Sequence, residues 1–202
     1  MQDLAAFVLA GGKSTRMGTD KAFVEFEGQT LLARALEVTR AVTGDMRIVG
    51  QAAQFAAFGP VVEDAFRGCG PLGGIHAALR TSTAELNLML AVDMPFVSVE
   101  LLRFLAARAG ESEAIVNVVQ TDEGWQPLCG IYRPEFANVA EEALLAGRYK
   151  ITALFEAGRT QIITEKELAA AGFSSEMFRN LNTPEDLAEA HDSASVRHGN
   201  SF

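Results

Sequence analysis

The sequence has little cysteine, little histidine and few basic residues relative to acidic ones. Two cysteines, Cys69 and Cys129, are too few for a disulfide framework in 202 residues, and their spacing matches no zinc site. The three histidines suggest no triad. The chain has 17 lysines and arginines against 26 aspartates and glutamates, a formal net charge of −9. Because an acidic surface repels nucleic acid and anionic lipid, neither is expected as a partner.

Targeting and membrane-spanning signals are lacking as well. The N-terminus has no basic n-region and no cleavage site, so no signal peptide is predicted. The first apolar run, residues 4–10, is far shorter than the roughly 20 residues that a membrane helix needs. These absences predict a cytoplasmic protein that does not span a membrane.

Short apolar runs alternate with helical patterns along the chain. The run 4–10 stops at a pair of glycines, which favours a buried parallel strand, and the run 86–92 has the same character. Helical spacing follows such runs, with Thr30 as one N-cap. This alternation predicts a mostly parallel sheet covered on both faces. We expect a single α/β domain over residues 1–191 and a flexible tail over 192–202.

The segment after the first predicted strand combines glycines with cations. Gly11 and Gly12 have no side chains, so backbone N–H groups there can approach phosphate oxygens. Lys13, Arg16 and Lys21 bring three positive charges into one loop, which suits a triphosphate and its leaving pyrophosphate. The spacing matches neither G-x-x-x-x-G-K-[ST] nor G-x-G-x-x-G. We therefore predict a different kind of phosphate site at the carboxyl end of this strand.

Three more polar residues stand where strands end or a helix begins. Asp93 follows the run 86–92 and could cap the next helix, but Ser98 is better placed to do so. Asp93 is therefore predicted to hold Mg²⁺ together with substrate phosphates. Asp64 follows another strand, and its carboxylate can accept both the N1–H and the amine of guanine. Asn182 precedes a helix and has no local explanation, so we expect it to reach the metal or an acceptor substrate.

Four ordered motifs resemble the molybdenum cofactor guanylyltransferases, a branch of the nucleoside-triphosphate transferase superfamily. They are LAGGKSTRMGTDKA, GPLGGI, DMPF and NTPEDL, and the resemblance extends from about Phe7 to Ala190. It implies a Rossmann-like three-layer domain of the nucleotide-diphospho-sugar transferase type. It also implies GTP and Mo-molybdopterin as substrates and Mg²⁺ as cofactor. Proteins that deliver molybdopterin or mature molybdoenzymes are candidate partners.

The resemblance assigns roles to residues by position. The implied nucleotide-binding residues are Leu9, Ala10, Gly11, Gly12, Lys21, Asp64 and Asp93. Asp93 is also the implied metal ligand, and Lys21 the phosphate contact. Arg16 is implied in catalysis with these two residues. Gly18, also at a loop position tied to catalysis, is assigned with Asn182 to the acceptor. Many sugar-nucleotide relatives have aspartate in place of Asn182, which favours the molybdenum branch.

The expected reaction transfers GMP from GTP to the terminal phosphate of Mo-molybdopterin and releases pyrophosphate. A cytidylyltransferase acting on molybdopterin or on a small phosphorylated alcohol is a close alternative, although related CTP users tend to have Leu-Ala-Ala-Gly where this chain has Gly11-Gly12. A non-catalytic nucleotide-binding regulatory protein is an alternative of another class, and the presence of Lys21 and Asp93 argues against it. Trp125 is expected to pack in the core rather than to line an acceptor pocket.

Overall fold

The described part of the chain forms a seven-stranded sheet and a two-stranded hairpin. The computed structural model describes residues 3–11 and 20–199, with the backbone alone for 193–199. The strands are β1 (Leu4–Leu9), β2 (Glu25–Phe26), β3 (Gln29–Thr30), β4 (Asp45–Val49), β5 (Val61–Val62), β6 (Leu86–Ala91), β7 (Val116–Thr121), β8 (Gly124–Tyr132) and β9 (Thr160–Thr164). The order across the large sheet is β5-β4-β1-β6-β8-β7-β9, and β2 pairs with β3.

Helices cover both faces of the large sheet. They are α1 (Leu31–Arg40), α2 (Ala52–Phe55), α3 (Pro71–Thr81), α4 (Val99–Gly110), α5 (Phe136–Leu145), α6 (Glu165–Ala170) and α7 (Pro184–Gly199). One core cluster packs the sheet against α1 and α4, and a second packs its other face against α3 and α5. The predicted three-layer α/β architecture is therefore confirmed. In the described part of the chain, no helix is long and apolar enough to cross a membrane.

The sheet is mostly parallel, as predicted, with a single reversed strand in its middle. β1 runs parallel to β4 and β6, and β4 to β5. β8 is antiparallel to both of its neighbours, β6 and β7, whereas β7 and β9 are parallel. β1 and β6 are covered on both faces, which explains their continuous apolar sequences. Because β5, β4, β1 and β6 point the same way, the loops that follow them meet at one edge.

Local signals set several element boundaries correctly. The Thr30 hydroxyl accepts a hydrogen bond from the Ala33 N–H at 3.2 Å, and Ser98 caps α4 in the same way. Sequence patterns did not predict the hairpin, the edge strand β9 or α6. Two-residue strands are too short to show periodicity, and β9 pairs on one side only, with β7.

Three boundaries differ from the prediction. The sequence pattern predicts a strand over residues 128–132, but β8 begins at Gly124. It also predicts a helix over 134–145 with Pro134 in its first turn, whereas Pro134 precedes α5. A last helix is predicted over 184–190, but α7 continues to Gly199. Most of the segment assigned to a tail therefore has helical backbone, and its flexibility stays a prediction.

Candidate active site

Three polar side chains from distant parts of the chain meet beyond the carboxyl end of β6. Lys21 Nζ lies 2.9 Å from Asp93 Oδ2 and 2.5 Å from Asn182 Oδ1. The side chains of Lys21 and Asp93 are 21% and 18% exposed, so the ion pair is shielded yet open to a ligand. The structure thus brings together three of the predicted site residues. The contact between Lys21 and Asn182 was not foreseen from the sequence.

Lys21 is held by the 3-10 turn on which it stands. Asp20 caps this turn, its Oδ1 accepting from the Ala22 N–H at 3.0 Å. Its other oxygen, Oδ2, accepts from Gln54 Nε2 at 3.0 Å, which ties the turn to α2. Ala22 is fully buried next to the exposed end of the lysine. The turn therefore anchors the backbone of Lys21 and leaves its ammonium group directed to the sheet edge.

Asn182 is placed by backbone contacts on both sides of its side chain. The Leu181 N–H donates to the Asp93 backbone carbonyl at 2.9 Å, which fixes the distance between the two segments. Asp186 Oδ2 accepts from the N–H groups of Asn182 and Thr183 at 2.7 and 2.9 Å. The Asn182 N–H is the main reason why the pKa of Asp186 is lowered. The Thr183 hydroxyl accepts from the Asp186 N–H at 3.1 Å, so the cap of α7 also positions the site.

Asp93 fits the role of a magnesium ligand that shares the ion with a substrate. Its Oδ2 bonds Lys21, and among the described residues its Oδ1 accepts no side-chain hydrogen bond, so one carboxylate oxygen remains for a cation. In the described ranges, no three histidine, cysteine, aspartate or glutamate side chains converge as a metal site. Mg²⁺ is commonly held by one or two carboxylates together with substrate phosphates, so a single aspartate suffices.

The predicted nucleotide contacts at the end of β1 have their N–H groups already engaged. Both the Ala10 and the Gly11 N–H donate to the Val49 carbonyl at 3.0 Å. The Leu9 carbonyl accepts from the Val92 N–H at 3.2 Å, and the side chains of Leu9 and Ala10 are buried. The N–H groups of Ala10 and Gly11 are therefore not free to bind phosphate, which differs from the approach predicted for Gly11.

Asp64 lies against the first turn of α3. Its Oδ1 accepts from the Phe66 N–H at 2.7 Å. A Cβ atom on Gly73 would lie 2.4 Å from Asp64 Oδ2, so the carboxylate occupies the space that a side chain there would need. Burial raises the pKa of Asp64, and the Phe66 N–H partly offsets this by lowering it. Gly73 therefore allows the Asp64 carboxylate to lie close to the first turn of α3.

His76 packs against this loop on the protein side. It is 6% exposed, its ring contacts Phe66 edge-on at 5.1 Å, and its Nε2 accepts from Arg80 Nε at 3.4 Å. A ring that accepts through Nε2 carries its proton on Nδ1 when neutral, and Nδ1 has no partner among the described residues. Burial lowers the pKa of His76. We interpret His76 as a neutral packing residue that backs Phe66.

Comparison with known proteins decides the family. The family model of the MobA-like NTP transferase domain matches residues 6–162. The chain belongs to this family. It is 33% identical to a probable molybdenum cofactor guanylyltransferase of Carboxydothermus hydrogenoformans, covering 92% of this chain and 94% of that one. A molybdenum cofactor guanylyltransferase of Desulfosudis oleivorans is also 33% identical, over 94% and 95% of the two chains.

Solved structures extend the similarity of this MobA-like chain to three dimensions. The molybdopterin-guanine dinucleotide biosynthesis protein A of Archaeoglobus fulgidus superposes with a TM-score of 0.84 and 28% identity, over 95% of this chain and 99% of that one. The 4-diphosphocytidyl-2C-methyl-D-erythritol synthase of Anaerococcus prevotii superposes with a TM-score of 0.69 over 96% of each chain, but at 15% identity. The second match shows a shared fold alone. The family resemblance found in the sequence motifs is confirmed.

Not every predicted site residue of this MobA-like domain can be placed. Gly12, Lys13, Arg16 and Gly18 lie outside the described residues, so their assigned roles stay predictions. Trp125 packs against the second core cluster, as expected, but it is only half-buried and contacts Phe155 edge-on at 5.3 Å at the border of that cluster.

Proposed function

We propose that this protein transfers GMP from GTP to the terminal phosphate of Mo-molybdopterin and releases pyrophosphate. The observation that carries the proposal is the contact of Lys21 with both Asp93 and Asn182 at the sheet edge. These three side chains provide an ammonium group for phosphates, a carboxylate for a metal ion and an amide for an acceptor substrate. The guanylyltransferase names of the relatives that align over nearly the whole chain support the choice of reaction. A cytoplasmic location is part of the proposal, and cell fractionation checks it.

The reaction is an in-line displacement at the α-phosphorus of GTP. A terminal phosphate oxygen of the acceptor forms the new P–O bond while the bond to pyrophosphate breaks. That phosphate is anionic near neutral pH, so no side chain has to remove a proton. When bound at Asp93, Mg²⁺ supplies charge neutralisation at the phosphoryl oxygens. Lys21 offsets the charge on the triphosphate, and most of the rate gain comes from positioning and electrostatics.

Asn182 suits the acceptor side of this reaction. Its Oδ1 accepts from Lys21, which leaves the amide N–H₂ as a donor. An amide donor can bind an anionic phosphate, whereas a carboxylate at this position would repel it. Its exposed position is also compatible with contact to a second substrate.

Asp64 suits guanine better than cytosine. A carboxylate has two acceptor oxygens and no donor when ionised. Guanine presents N1–H and its amine side by side, whereas cytosine presents its amine beside acceptor atoms. A structure with the same fold and a cytidylyl-related name shows that the fold alone does not decide the base.

Pyrophosphate release from GTP and from CTP tests the proposal, with Mg²⁺ present and with or without Mo-molybdopterin. Release from GTP alone that requires the acceptor is the expected result. A preference for CTP would indicate cytidylyl transfer and would leave the proposed metal role of Asp93 unchanged. Binding of nucleotide without release in any mixture would contradict catalysis and support the regulatory alternative.

A further inference from the structure

The pairing of β7 with β8 contains a large irregularity. Val118 on β7 pairs with Gly130 on β8. Two residues further along β7, Gln120 already pairs with Trp125. Residues 126–129 of β8 therefore lie opposite a single residue of β7, and we refer to them as the 126–129 bulge. Bulges of this kind occur next to active sites, where they redirect side chains.

A buried tyrosine holds the bulge in place. Tyr132 is fully buried, and its Oη donates to the Pro127 carbonyl at 2.7 Å. Its ring packs against Phe136 of α5 with centroids 5.1 Å apart. The bulge is therefore tied to the second core cluster through a defined hydrogen bond.

The bulge lies at the same edge of the sheet as the cluster of Lys21, Asp93 and Asn182. Leu90 on β6 pairs with Cys129 on the antiparallel β8. Met89 on β6 pairs with Gly130 of β8, which in turn pairs with Val118 of β7. Two residues further along β7, Gln120 pairs with Trp125, so Trp125 is level with Ala91 at the end of β6. The reversed strand thus brings its beginning, including Trp125, to the end of β6, two residues before Asp93.

Trp125 is less buried than the core residues of the sheet, which leaves part of its ring accessible to a ligand. It is half-buried, like the other hydrophobic residues at this border of the cluster, whereas β8 is fully buried from Cys129 onward. Other half-buried residues that pack against this cluster include Phe66, Cys69 and Phe155, and Phe155 contacts Trp125 directly. Phe66 belongs to the loop that orients Asp64, so the same face of the sheet carries both Phe66 and Trp125.

We propose that Trp125 is the stacking surface for the planar pterin ring of the acceptor, and that Tyr132 is a positioning residue that holds the bulge. This inference rests on the proposed function, because it assumes an acceptor with a flat heterocycle. Aromatic side chains and heterocyclic bases attract each other by stacking, and loss of such a contact weakens binding by about 10-fold or more. The acceptor would then lie across β8, with its phosphate near Asn182 and Lys21.

Trp125 is the one tryptophan of the chain, so intrinsic fluorescence reports on this position alone. Titration with molybdopterin should quench the emission of the wild-type protein. GTP alone should leave it nearly unchanged, because guanine binds on the Asp64 side. Free tryptophan titrated in parallel corrects for absorption by the ligand. Quenching by GTP without any response to molybdopterin would overturn the proposal.

Substitutions separate stacking from folding. Trp125→Leu should weaken molybdopterin binding by about 10-fold, as measured by calorimetry, and leave GTP binding unchanged. Trp125→Phe should retain most of the affinity. Phe104→Leu is a matched control, since Phe104 is a half-buried aromatic on the opposite face of the sheet, in contact with Phe173. A Trp125→Leu enzyme that transfers GMP and binds molybdopterin like wild type overturns this inference alone.

Tyr132→Phe tests the positioning role. The ring and its packing remain, but the hydrogen bond to the Pro127 carbonyl is lost. KM for molybdopterin should rise a few-fold while kcat and KM for GTP stay the same. Equal losses for both substrates would show a purely structural role and contradict the proposal. A wild-type protein that neither binds molybdopterin nor transfers GMP overturns this inference together with the proposed function.

Discussion

The two halves of the sheet differ in regularity, and the difference follows their proposed tasks. The half formed by β5, β4, β1 and β6 is wholly parallel, with an unbroken register, and the predicted nucleotide residues follow its strands. The half formed by β8, β7 and β9 contains the reversed strand and the 126–129 bulge. In the first half the carboxyl end of every strand reaches this edge, whereas in the second half β7 and β9 end there and the reversed β8 begins there. The first arrangement suits a common nucleotide, and the second suits an individual acceptor.

Asp93 stands where the two halves meet, so its removal should have the largest effect. Asp93→Ala should lower kcat by about 100-fold or more, because charge stabilisation at the phosphates is lost. The free energy of unfolding should change by only about 1 kcal/mol, since the ion pair with Lys21 is partly exposed. Steady-state kinetics and urea unfolding measure the two effects. Asp122→Ala, at an exposed aspartate, is the control. Activity within a few-fold of wild type would contradict the metal assignment.

Asn182 should separate the acceptor from the nucleotide. Asn182→Asp adds a negative charge beside Asp93 and the incoming phosphate, so KM for molybdopterin should rise about 10-fold, with a smaller change in KM for GTP. Asn182→Ala removes the contact with Lys21 without adding charge and should show a weaker effect. KM values for both substrates, measured for both variants, make the comparison. A change in KM for GTP alone would contradict the acceptor role of Asn182 and would indicate a contact with the nucleotide instead.

Asp64 should show a smaller effect that depends on pH. Because burial raises its pKa, this carboxylate takes up a proton at a higher pH than an ordinary aspartate. The protonated form accepts fewer hydrogen bonds from guanine, so KM for GTP should rise a few-fold as the pH falls through the raised pKa of Asp64. Asp64→Asn should flatten this dependence relative to wild type. An identical pH profile in the variant would contradict a role of Asp64 in base recognition.

The same titration should affect stability with the opposite sign. The folded pKa of Asp64 lies above its unfolded value, so its charge destabilises the fold above the folded pKa. That destabilisation disappears as the pH falls through the folded pKa. Relative to Asp64→Asn, the wild-type protein should therefore gain stability on acidification while it loses affinity for GTP. Denaturant unfolding at several pH values measures this difference.

Much of the fold could be predicted because it depends on local patterns. Apolar runs marked β1 and β6, and hydroxyl caps marked α1 and α4. The convergence of Lys21 and Asp93 at one edge followed from residue type and from the rule for parallel strands, whereas the contact of Asn182 with Lys21 did not. Core packing was expected for Trp125, and Trp125 does pack against the second core cluster. Its partial burial could not be predicted, because the burial of a tryptophan depends on where the sheet places it. The sequence also could not show that Asp64 packs against Gly73, because the contacts of a glycine depend on the fold around it.

The sequence by itself determined the alternation of strands and helices, and it predicted the phosphate loop and a metal-binding carboxylate at Asp93. Periodicity, caps and residue charge are local properties, so a single chain reveals them. Only the tertiary structure decided that Lys21 bonds Asn182 across 161 positions of sequence, and that the reversed β8 brings Trp125 to the end of β6. Contacts of that kind depend on strand order and register, which arise when the whole sheet packs between its two helical layers.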